Sequence, residues 1–129
     1  MNAELGTAKK TGTGKDELRD RTKAFALRVI TLLNALSHTP VARVIRNQLL
    51  RCGTSIGANY RAAKRAKSTA DFISKMGTVE EETDESMYWM ELLVKTGLMK
   101  KSRISDLYQE ADEILSMVVA SIKTARRKK

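Results

Sequence analysis

The chain has 129 residues, a formal net charge of +9 and 42% apolar residues. That length suits one domain with a core of its own, and the single cysteine, Cys52, excludes an intrachain disulfide. No apolar run approaches the ~20 residues that cross a bilayer, and the start, MNAELGTAKKTGTGK, lacks the apolar stretch of a secretory leader, so a cytoplasmic protein without membrane contact is expected.

Residues 1–15 are rich in Gly, Thr and Lys, show no periodicity, and read as a disordered tail. The segment Gly12-Thr-Gly-Lys-Asp16 imitates a phosphate-binding loop. The full motif needs glycine where Lys9 stands and Ser or Thr where Asp16 stands, so it is rejected.

A first helix is predicted from Asp16, a good N-cap, to Leu36. Leu18, Phe25, Val29, Leu32 and Leu36 recur at helical spacing. Ala26, Leu27, Ile30 and Leu33 make the apolar sector wider than one core-facing stripe. In so small a chain the second apolar side, with Leu27 and Ile30, points to a partner copy.

Thr39 and Pro40 open a second helix reaching about Lys67. Its seam reads Val41, Ile45, Gln48, Cys52, Ile56, Asn59, Ala63 and Ala66. Gly53 and Gly57 each cost about 1 kcal/mol against alanine in mid-helix. Close approach of another helix would offset that cost, and a break near Gly53 is the alternative. The unbroken periodicity predicts a continuous helix.

Ser68-Thr-Ala-Asp71 starts a third helix in the manner of a capping box, with Gly97 as its stop. Its seam is Ile73, Met76, Glu80, Thr83, Met87, Met90 and Val94. A fourth helix begins at Lys101 or Ser102 and runs inward along Ile104, Leu107, Ala111, Ile114, Val118, Ile122 and Ala125. Four such helices joined by short turns predict an all-α, up-down-up-down four-helix bundle over 16–127, followed by a basic end at 128–129.

No catalytic residue and no metal site emerges. A di-iron bundle needs Glu-x-x-His pairs, and the one histidine, His38, falls in a turn. Cys52 has no histidine near its seam and reads as core. No cofactor or small-molecule substrate is indicated.

The acidic run Glu80-Glu81-Glu82-Thr83-Asp84-Glu85 sets like charges four residues apart. Folding helices two and three about their turn places Arg51 opposite Asp84 and Ser55 opposite Glu80. With Gln48 and Asn59 these predict a partly buried polar layer whose role is to fix register.

The cations are gathered. Residues 16–23 are neutral, 61–75 carry +4 and 123–129 carry +5, so one end of an up-down bundle holds a charge equal to that of the whole chain. Arg61, Lys64, Arg65, Lys67, Lys123, Arg126 and Arg127 are the candidate contacts to nucleic-acid backbone. Complementing two helix C-termini is the plainer explanation of some of this charge. Tyr60, Tyr88 and Trp89 are candidates for an oligomer interface, with core or bundle-edge positions as the alternative.

The run Gln48-Leu-Leu-Arg-Cys-Gly-Thr-Ser-Ile-Gly-Ala-Asn-Tyr-Arg61, with Asp71-Phe-Ile, Glu82-Thr-Asp-Glu85 and Tyr88-Trp-Met-Glu-Leu-Leu93, resembles a bacterial four-helix-bundle family. That family was first noted as proteins encoded in intervening sequences of large-subunit ribosomal RNA genes. The resemblance covers residues 16–127, with Cys52 where the family more often has Ser. It implies assembly into a homo-oligomeric ring, commonly a pentamer. The fold is also similar to the accessory protein of diversity-generating retroelements, a basic pentameric barrel that binds nucleic acid and a reverse transcriptase. The family has no established biochemical activity. Two functional expectations follow: a non-enzymatic bundle that binds RNA or DNA through its basic end, or a protein–protein scaffold whose charge serves solubility and capping.

Overall fold

The computed structural model describes residues 16–128; the tail expected over 1–15 and the last residue, Lys129, lie outside them. Four helices follow one another: α1 (Glu17–Asn34), α2 (Pro40–Lys64), α3 (Thr69–Lys95) and α4 (Lys101–Arg127). No strand occurs among the described residues.

Each boundary has a local cause. Asp16 accepts the Arg19 N–H at the start of α1, and Thr39 accepts the Ala42 N–H at the start of α2, with Pro40 at its first position. Ser68 Oγ accepts the Asp71 N–H at 3.1 Å, and Asp71 Oδ2 accepts the Lys67 N–H at 3.1 Å, so the start resembles a capping box with its return bond one residue before the cap. Gly97 adopts φ of 75° after α3, in the left-handed region that glycine enters at no steric cost, and the Met99 N–H returns to the Leu93 carbonyl. α4 has no side-chain cap.

Two helices stop earlier than their spacing predicts. Ala35 and Leu36 bond back to Leu32 and Leu33, and Arg65 and Ala66 to Ala62 and Ala63, each three residues away. The last turn has tightened beyond α geometry in both cases.

α2 packs against α1 and α3, α3 against α4, and α4 closes on α1 through the smallest of the four helix contacts. Pairs such as Val29 with Gly53 and Thr22 with Gly57 show that neighbours run antiparallel. α2 is continuous through both glycines. A Cβ on Gly53 would lie 3.1 Å from Val29 Cγ2, and one on Gly57 3.2 Å from Thr22 Oγ1. The glycines let α1 come close, which offsets their poor helix propensity.

That approach also turns α2. Ala42, Leu49, Gly53 and Tyr60 join Ile45, Cys52, Ile56 and Ala63 inside, while Val41 is exposed and Gln48, Asn59 and Ala66 are only half-buried. In α3, Val79, Ser86 and Leu93 are buried, whereas Ile73, Glu80 and Val94 are half-buried. α1 and α4 keep the expected seams, Ala125 alone being half-buried.

Candidate nucleic-acid interface

The helical phase that turns Tyr60 and Ala63 inward at the end of α2 turns Arg61, Lys64 and Arg65 outward. Lys67 is exposed in the turn that the Ser68 cap holds. At the end of α4, Ile122 is buried and Lys123, Arg126 and Arg127 are exposed. The fold therefore brings all seven predicted cations to one end of the molecule. Among the described residues none of the seven forms an ion pair.

Lys75, at the same end, differs. Its Nζ lies 2.6 Å from Asp71 Oδ1. Lys75 first, and the Lys67 N–H second, hold the Asp71 carboxyl below its ordinary pKa. Asp71 is thus already engaged. Lys64 Nζ stands 6.0 Å from the Tyr60 ring centroid, at the outer limit of a cation–π contact.

This end is concave. A cleft of about 490 Å³ lies between the last turn of α2, the first turn of α3 and the last turn of α4. Lys64, Lys67 and Lys128 are on its rim, and Phe72 is half-buried in its floor. Phe72 and the hydroxyls of Ser68 and Thr69 were not assigned to a binding site from the sequence. The capping box that places them there was the available signal.

The polar layer expected between α2 and α3 takes a different form. Arg51 pairs with Glu82 at 3.3 Å and with Glu85, and accepts no help from Asp84, which is exposed. Numbering about a turn fixes height along the neighbour but not azimuth. Glu82 and Glu85 share the flank of α3 that faces α2, and Asp84 does not. Arg51 is itself 48% exposed, and its Nη2 also donates to Gln48 at 3.1 Å. Ser55 and Asn59 bond carbonyls of their own helix, and Glu80 makes no cross-helix bond among the described residues. The polar groups buried inside are others: Thr22, Thr83 and Ser86. Ser86 Oγ lies 3.2 Å from Cys52 Sγ and 2.9 Å from the Glu82 carbonyl oxygen, and burial pushes the Cys52 thiol pKa up.

Tyr60 is not at an outer surface. It is 6% exposed, and its hydroxyl donates to Asp16 Oδ1 at 2.7 Å. Burial, then the Asp16 carboxylate, raises its pKa above the ordinary value. Its place on the core face with Ile56 and Ala63 decides this. Trp89 is half-buried, donates its indole N–H to Glu85 at 3.0 Å, and meets Tyr88 edge to face with centroids 5.1 Å apart. Tyr88 is exposed, as are Leu27 and Ile30 on α1. Val41, Val44 and Leu50 on α2 are exposed too and had not been assigned to an interface. Ile30 and Leu50 line a shallow groove between α1 and α2.

One unforeseen cluster joins α1 to α4. Arg21 meets Glu110, Glu113 and Glu17. The Glu110 hydrogen bonds, more than the other two acids, raise the Arg21 pKa. Spacing along one helix gives no sign of such a cross-helix match. Among the described residues no group of three or more His, Cys, Asp or Glu side chains is placed to hold a metal ion, and no helix is long and apolar enough to cross a membrane.

No curated protein matches the chain. A solved structure from Bacteroides thetaiotaomicron, described as a protein with unknown function from the S23 ribosomal protein family, matches with a TM-score of 0.76 and 34% identity. The alignment covers 82% of this chain and 98% of that one. The model of the 23S rRNA-intervening sequence protein family matches residues 15–120. That span takes in all of α1, α2 and α3 and most of α4, so the chain belongs to the 23S rRNA-intervening sequence protein family.

Proposed function

We propose that this protein is a non-enzymatic, self-associating helical bundle that binds the phosphate backbone of RNA or DNA through its basic end, acting in the cytoplasm. The observation that carries the reading is the gathering of seven exposed cations, none in an ion pair among the described residues, at one end of the bundle. Cations at helix C-termini are worth about 0.3–1 kcal/mol each in capping. That role suits Arg61 and Lys64 at the end of α2 and Arg126 and Arg127 at the end of α4, but not Lys67, which lies in the turn before α3. Counterion release on contact with phosphates accounts for the whole set.

Self-association, into a ring of five copies as the resemblance implies, would set several basic ends side by side. The exposed Leu27, Ile30, Val41, Val44, Leu50 and Tyr88 support association, since large apolar side chains are usually covered. The same six favour the second reading, a protein–protein scaffold with no nucleic-acid role.

Binding to generic RNA and DNA across a salt series tests the first reading. The log–log slope should be near ~0.9 per neutralised phosphate on duplex DNA. Reversing Arg61, Lys64 and Arg65 to Glu should lower both affinity and slope. An intact oligomer that binds neither nucleic acid at low salt would leave the scaffold reading in its place.

A further inference from the structure

We propose that the cleft at the basic end holds one unstacked nucleotide, so that the site takes single-stranded nucleic acid in preference to duplex. This rests on the backbone-binding reading above and adds the form of the ligand.

The cleft has two chemistries. Its exposed rim carries Lys64, Lys67 and Lys128, together with Thr69 and Thr124. Its buried and half-buried floor is apolar: Ala63, Ala66, Phe72 and Ala125. The rim alone would serve any polyanion. A duplex presents a convex row of phosphates and keeps its base faces stacked inside, so it could meet the rim lysines but would leave the floor empty. An unpaired nucleotide offers both parts at once, an anionic phosphate for the lysines and an apolar base face for the floor.

Size and shape agree. The volume of about 490 Å³ falls within the range of small-molecule sites and leaves room for one nucleotide. Ala66 and Ala125, both half-buried, keep it open, since a longer side chain at either would reach into it. Phe72, fixed in the first turn of α3 by the Ser68 cap, supplies the aromatic face on which a base can stack. Asp71 does not oppose the phosphate at full strength, because Lys75 and the Lys67 N–H already engage it.

The experiment uses the full chain, a labelled single strand of about 12 nucleotides, within common single-strand site sizes, and the duplex containing it, at one low salt concentration. The single strand is expected to bind about tenfold or more tightly than the duplex. Loss of one stacking contact is worth about 5- to 150-fold, so Phe72→Leu should weaken single-strand binding by that factor and leave duplex binding unchanged. Phe72→Tyr should retain it. Ala125→Leu, which fills the cleft from α4 at a half-buried position, should act like Phe72→Leu and serves if that variant unfolds. Equal affinity for the two forms, or a single-strand preference that survives both substitutions, overturns the proposal while the backbone-binding reading stands. If neither form binds, both fall.

Discussion

Arg21 on α1 grips Glu110 on α4 with two hydrogen bonds, Nε to Oε2 at 2.8 Å and Nη2 to Oε1 at 2.6 Å. The pair bridges the thinnest of the four helix contacts, and Glu113 accepts from the same Nη2 at 2.6 Å. The side chains of Arg21 and Glu110 are only 25% and 18% exposed, so solvent screens the pair incompletely. Arg21→Met strands two acids side by side and should cost about 1–2 kcal/mol in urea unfolding. Adding Glu110→Leu should recover part of that loss, because the orphaned charge is the larger penalty.

Glycines on different surroundings should respond oppositely to alanine. Nothing lies within 4 Å of a Cβ built on Gly77, so Gly77→Ala in mid-α3 should stabilise by about 1 kcal/mol through helix propensity. At Gly53 three atoms of the fully buried Val29 lie within 3.5 Å of the new Cβ. A β-branched side chain held on all sides cannot swing away, so Gly53→Ala should lose about 1–2 kcal/mol net despite the same propensity gain. Thermal melts of the two variants should move in opposite directions.

Asp16 Oδ1 accepts from both the Arg19 N–H and the Tyr60 hydroxyl, tying the cap of α1 to the end of α2. Tyr60→Phe should cost about 1 kcal/mol, and Asp16→Ala about 1–2 kcal/mol because it removes the cap as well. The double variant should cost less than the sum, which a thermodynamic cycle measures.

Acid should weaken the fold through three carboxylates held below their ordinary range. Lys75 and the Lys67 N–H act on Asp71, the Trp89 indole N–H and Arg51 on Glu85, and Arg21 and Gln109 on Glu113. A depressed folded-state pKa stabilises fully above the unfolded value and is lost as pH falls through the folded one. The melting temperature should therefore begin to fall near about pH 4, the unfolded carboxylate range, and continue downward. In Arg21→Met the Glu113 part of this dependence should shrink to what the Gln109 hydrogen bond alone supplies.

Leu27 and Ile30 are 59% and 40% exposed, so Leu27→Glu and Ile30→Lys remove little from the core. Both should leave helical content and the monomer's unfolding midpoint nearly unchanged while light scattering shows a smaller assembly. An unchanged mass would remove this face from the interface.

The four helices could be read from the chain because capping residues at Asp16, Thr39, Ser68 and Gly97 coincide with breaks in the apolar spacing, although α1 and α2 end two or three residues early and α4 starts without a side-chain cap. The gathering of the basic residues was legible for the same reason: once the turns are known, an up-down path leaves one end for Arg61–Lys67 and Lys123–Arg127. Azimuth was not. Arg51 meets Glu82 and Glu85 instead of Asp84, and Tyr60 faces inward, because a one-dimensional pattern gives height along a neighbour but not rotation about it. The Arg21 cluster and the cleft around Phe72 depend on three helices meeting, which no spacing within one helix encodes.

Cys52 is the chain's lone thiol, 0% exposed, and sits where α2 and α3 make the most extensive helix contact in the molecule. Fraying at the ends, or parting of α1 from α4, leaves it covered. Its reaction with a soluble disulfide reagent therefore requires the central helix pair to separate. The native protein carries its own clock: the rate of thiol modification, read without label or mutation, times the opening of the whole bundle and not the breathing of its edges.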